Sequence, residues 1–98
     1  MRSVVWSETA LAEFESALQR IAADSPSAAT LVADRIDNAA ARLGEMATGR
    51  PGRVLDTYEK PVSRTSYVMA YAVTDTAITI LRVIHGNRHW PEGEWPAD

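Results

Sequence analysis

The chain has 98 residues, no cysteine and a formal net charge of -3, with 46% hydrophobic and 23% charged residues. That length holds one compact domain, residues 1–98, whose folding hides about 65% of the surface of the unfolded chain, so multidomain enzymes are excluded. The lack of cysteine removes disulfides, iron–sulfur clusters, thiolate zinc sites and a cysteine nucleophile.

A short apolar run, Val4-Val5-Trp6, precedes Ser7, whose hydroxyl can cap a helix with Glu8 in the positive first turn. Leu11, Phe14, Leu18 and Ile21 recur at three- and four-residue spacing, which predicts an amphipathic helix to about Ala23. Glu13 and Glu15 point in different directions on it and read as solvated charges. Ser25-Pro26 opens a second helix, with Ala29, Val32, Ile36, Ala39 and Leu43 as its apolar stripe and Gly44 as its stop. A linker of two or three residues makes the pair an antiparallel hairpin.

Gly49, Pro51 and Gly52 then mark a loop, and the periodicity shifts toward two. Strands are expected over Arg53 to Thr57, Pro61 to Thr65, Ser66 to Val73 and Ala77 to His85, the last two joined by Thr74-Asp75-Thr76. Alternation sets Tyr67, Met69, Tyr71 and Val73 on one side, and puts Arg82 in a row with Ile78, Ile80 and Ile84. A guanidinium in an aliphatic row must reach water, an acid or an anionic ligand. The order of elements predicts an α+β domain: an N-terminal strand, then an antiparallel helical hairpin packed on one face of a mainly antiparallel C-terminal sheet. Both faces of that sheet are apolar and the helices suffice for one, so the other is expected to be open to a polypeptide partner.

Charge is divided unevenly. Residues 1–49 sum to -3 and residues 50–90 to +3, while the tail adds Glu92, Glu94 and Asp98. Such a separation can focus an anionic partner on one region. No uncharged run is long enough to span a bilayer and the N-terminus lacks a signal-peptide core, so a cytoplasmic protein is expected. Ile80 to Pro91 concentrates two Arg, two His and a Trp at a strand end. Arg can stabilise phosphoryl charge and His can move protons near neutral pH, the minimum for metal-free RNA cleavage. His85 and His89 straddle Gly86-Asn87 and do not converge as a metal pair, and Glu92 and Glu94 offer no rigid geometry, so no metal or cofactor is expected.

Val5-Trp6-Ser7-Glu8-Thr9-Ala10, the helical hairpin, Gly49-Arg50-Pro51-Gly52-Arg53, Tyr67-Val68-Met69-Ala70-Tyr71 and the run from Ile80 through Leu81-Arg82-Val83-Ile84-His85-Gly86-Asn87-Arg88-His89 to Trp90 together resemble the ParE branch of the RelE/ParE toxin superfamily. The resemblance implies the toxin of a bacterial type II toxin–antitoxin pair, a non-enzymatic poison of DNA gyrase, neutralised by a ParD-like antitoxin in a hetero-oligomer. The residues expected to meet antitoxin or target are Arg50, Arg53, Arg64, Tyr67, Met69, Tyr71, Ile80, Arg82, Ile84, His85, Arg88 and Trp90. A RelE-like ribosome-dependent mRNA endonuclease is the alternative, with Arg64, Arg82, His85 and Arg88 as its catalytic set. Against it stand the acidic chain, its single Lys and a C-terminal region with no Tyr. An inactive homologue that persists as an antitoxin-binding co-repressor is the third reading.

Overall fold

Two serines organise the first half of the molecule. Ser7 caps α1 (Glu8–Asp24) by accepting from the Ala10 amide at 3.0 Å. Its own N–H donates to the Ile80 carbonyl and its hydroxyl to the Leu81 carbonyl, fixing the helix start to a strand far along the chain. Ser25 ends α1 by donating to the Ile21 carbonyl and begins α2 (Pro26–Glu45) by accepting from the Ala28 amide. One residue therefore serves both helices, a tighter connection than the expected two or three.

The computed structural model describes residues 1–88, 90–91 and 93–96. Besides the helices it contains β1 (Ser3–Trp6), β2 (Arg50–Pro51), β3 (Tyr58–Pro61), β4 (Tyr67–Val73) and β5 (Ala77–His85), in the sheet order β1-β5-β4-β3-β2. β1 runs parallel to β5, and every other pairing is antiparallel. The α+β architecture matches expectation. Gly44 does not stop α2, which continues to Glu45. Its value is close approach: a Cβ there would sit 2.7 Å from the Arg2 carbonyl oxygen, where α2 crosses the approach to β1.

The two expected middle strands are displaced. Residues 53–56 form turns, because Thr57 Oγ1 donates to the Val54 carbonyl and Asp56 takes a left-handed backbone at φ 63°. Pro61 ends β3 where it would have begun a strand, and Val62 to Thr65 is a turn closed by Thr65 onto the Val62 carbonyl.

β5 carries a bulge. Ala70 faces Arg82 and Tyr71 faces Ile80, which leaves Leu81 as the extra residue. The alternation therefore reverses along the strand. Ile78, Ile80 and Val83 join Tyr67, Met69 and Tyr71 against Ala10, Ala17, Ile36, Ala40 and Leu43 of the helices. Arg82 and Ile84 turn to the opposite face. Full burial of side chains such as Ile36, Leu43 and Ile80 contributes about 1.5–3 kcal/mol each.

That opposite face is partly covered, contrary to expectation. Ala70 and Ile84 on it are wholly buried. Trp90 stacks under the Arg53 guanidinium at 4.2 Å, Trp95 lies 5.6 Å from that of Arg82, and Pro96 is buried. Trp90 and Trp95 thus cover part of this face, while Val68 and Ala72 on it stay half-buried.

Candidate functional site

Arg82 meets the condition set by its sequence context by pairing with an acid inside the chain. Its Nε donates to Glu13 Oε1 at 3.0 Å and its Nη2 to Glu13 Oε2 at 2.8 Å, the bidentate fork geometry. The Val83 amide gives Glu13 Oε1 a third hydrogen bond at 3.0 Å. Glu13 thus caps the part of β5 that β1 is too short to pair, and it is not the solvated charge expected. The signal was present: Glu13 lies three residues after Ala10 and four before Ala17, both buried, so it flanks the face that α1 packs on the sheet.

The Gly49-Arg50-Pro51-Gly52-Arg53 segment has a similar inward role. Glu59, 1% exposed, accepts from Arg50 Nη2 at 3.3 Å and from the Arg53 amide at 2.8 Å, with Arg53 Nη2 at 3.9 Å. Gly49 has φ 141°, and a Cβ would lie 2.7 Å from the Tyr71 hydroxyl and 2.8 Å from the Glu59 carbonyl oxygen. The motif is built around this buried carboxylate, which no sequence pattern had singled out.

Of the remaining expected contact residues, Met69, Tyr71, Ile80 and Ile84 are fully buried in the chain's own interior, the first three against the helices. They cannot form a partner surface in this fold. Tyr67, His85 and Arg88 do come together. With Thr9, Ser16 and Arg20 they line a hollow of about 540 Å³ between α1 and the end of β5. The Tyr67 and His85 rings meet edge to face at 5.2 Å, and His85 Nδ1 accepts from the Asn87 amide, which leaves Nε2 to carry the proton in the neutral ring. Trp90 sits with Arg53, as described.

Arg64 is elsewhere, lining a second hollow between α2 and the β3–β4 turn. Of the four residues considered for RNA cleavage, His85 and Arg88 line the hollow between α1 and β5 and Arg82 is held at its edge by the lining residue Glu13, whereas Arg64 lies apart in the second hollow. His89 and Glu92 lie outside the described residues. Among the described residues no group of three or more His, Cys, Asp or Glu could hold a metal, and no helix is long and apolar enough to cross a membrane.

This arrangement has known counterparts. The family described as the ParE toxin of the type II toxin–antitoxin system parDE matches residues 4–90, from β1 through the strand-end loop. The chain belongs to the ParE toxin family. It is 33% identical over 92 residues to the candidate toxin Y4kP of Sinorhizobium fredii, spanning 93% of this chain and 95% of that protein. The fold is shared with a chain of the chromosomal ParDE toxin–antitoxin system from P. aeruginosa, with a TM-score of 0.79, 22% identity and coverage of 87% and 96% of the two chains. In this ParE-family toxin the Arg82–Glu13 and Glu59 clusters are internal ion pairs, and the two hollows lie at the surface.

Proposed function

We propose that this ParE-family toxin poisons DNA gyrase by binding it, and that a ParD-like antitoxin neutralises it by seating a segment in the hollow between α1 and the end of β5. The observation carrying the choice of binding over RNA cleavage is the Glu13 clamp. A guanidinium already forked onto a carboxylate is poorly placed to stabilise a scissile phosphate, and its would-be partner Arg64 lies apart in the other hollow. The hollow itself suits an amphipathic acidic segment. Tyr67 and Val83 give it apolar wall and Arg20 and Arg88 set cations around it, while Glu13, the acid in its lining, is paired with Arg82.

Purified toxin is to be tested in a gyrase supercoiling assay and, in parallel, for cleavage of message on ribosomes. Inhibition of supercoiling with intact message is the expected result; ribosome-dependent cleavage with unimpaired gyrase overturns it. Expression without antitoxin that leaves growth unaffected would instead favour the inactive co-repressor. The docking site is checked by Ala12→Trp, which fills the hollow from an exposed position on α1 and should weaken antitoxin binding at least tenfold.

A further inference from the structure

The hollow that contains Arg64 differs from the rest of the basic surface. It measures about 370 Å³ and is lined by Arg35 and Arg42 of α2, Lys60 of β3 and Arg64 of the following turn, with Asn38 and Ser63 between them. No acidic residue lines it. Arg50, Arg53 and Arg82 each lie within 4 Å of a carboxylate, whereas none of these four cations forms an ion pair among the described residues. Four like charges converge on one concavity without a counter-charge.

The convergence is built by the backbone. Arg35, Asn38 and Arg42 share one stripe of α2, at spacings of three and four residues. Arg64 is a non-glycine residue at φ 62°, and Arg35 Nη1 donates to its carbonyl at 3.1 Å, tying the turn to the helix. Asp37 of the same helix lies off this stripe, while Asp34, four residues before Asn38, and Glu45, three after Arg42, flank it without lining the hollow.

We infer that the hollow formed by Arg35, Arg42, Lys60 and Arg64 is an anion site for a compact phosphate chain, free polyphosphate or the phosphates of a nucleotide. Guanidinium groups match phosphate oxygens in a planar, two-bond geometry, and Lys60 adds a point charge. Asn38 and Ser63 add neutral donors. None of the lining residues is aromatic, so the site lacks a platform for stacking bases, and it is a pit between helix and turn rather than a track for a strand. These features favour a short phosphate chain over nucleic acid. The inference is independent of gyrase and of the antitoxin.

The full-length toxin is titrated with inorganic tripolyphosphate while amide NMR shifts and heats of binding are followed. Saturable one-to-one binding is expected, with shifts confined to residues 35–42 and 60–65. Arg42→Gln should weaken it at least fivefold, the charge-matched Arg20→Gln by less than twofold, and Arg42→Gln with Lys60→Gln at least tenfold. ATP in place of tripolyphosphate separates the sources: equal affinity assigns the site to the phosphate chain alone, tighter binding to a nucleotide. Unsaturable binding, equal losses in Arg20→Gln, or tighter binding of a single-stranded oligonucleotide or polyglutamate overturns the inference. If the double variant does not fold, the wild-type shift map and each single substitution decide.

Discussion

Two groups of cations in this toxin occupy opposite electrostatic situations. Arg82, Arg50 and Arg53 are folded onto Glu13 and Glu59, and the carboxylates satisfy backbone amides as well. Arg35, Arg42, Lys60 and Arg64 surround a concavity with no acid in its wall. Both groups contribute the same formal charge per residue to a sequence count. Only the first is paired with carboxylates of the same chain, so a local excess of basic residues does not by itself mark a partner surface.

Breaking the first group should have the largest effect. Glu13→Ala removes the carboxylate to which both the Arg82 guanidinium and the Val83 amide donate, in a pair whose side chains are 10% and 17% exposed. Loss of about 3 kcal/mol of unfolding free energy is expected in urea melts. Glu13→Leu combined with Arg82→Met should recover all but about 1 kcal/mol, the remainder reflecting the unpaired Val83 amide. Glu59→Ala should cost about 2 kcal/mol by the same measurement, since the Arg53 amide loses its acceptor while Arg50, with its side chain 56% exposed, can turn to water.

Tyr71 sits at the boundary between the two groups, donating its hydroxyl to the carbonyl of Thr48, a residue of the basic hollow's wall. Burial, and then the neighbouring Tyr58, hold its phenol above the ordinary value of 10.0. The folded state therefore keeps this proton longer than the unfolded chain does. Stability should be flat in this respect below pH 10 and fall as pH rises beyond it. Tyr71→Phe should cost about 1 kcal/mol at pH 7 and remove that alkaline decline, as thermal melts across pH 8–11 would show. The smallest effect belongs to the second group. Arg42→Gln should change stability by no more than about 0.5 kcal/mol, because the repulsion it relieves offsets the favourable charge it removes from the last turn of α2 and no ion pair is severed.

Helix positions were legible from the sequence because local chemistry determines them: Ser7, Ser25 and Pro26 act on their own neighbours, and the apolar stripes repeat at helical spacing. The β4–β5 hairpin was legible for the same reason, through β-branched residues and a polar turn. The faces of β5 were not. Period-two alternation assumes an unbroken ladder, and nothing in Leu81-Arg82 announces the extra residue. The middle strands were misplaced because Asp56 and Thr57 favour turn hydrogen bonds that compete with extended backbone. At the candidate site, His85 and Arg88 are close in the sequence, but their meeting with Tyr67 depends on the β4–β5 register that sets Tyr67 opposite His85. The need of Arg82 for a partner was legible, but its identity depended on a contact across 69 residues.

The parallel pairing of β1 with β5 has a temporal consequence. Ser3 lies beside Ala77, and Ser7 beside Ile80, so the first-made strand waits for the last-made one. Such distant pairing carries a large loop-closure entropy and forms late. During synthesis the helices can gather, but the domain locks only once β5 has left the ribosome. A chain that stops short of β5 is thus without the partner of β1 and the anchor of Ser7, and cannot complete this architecture.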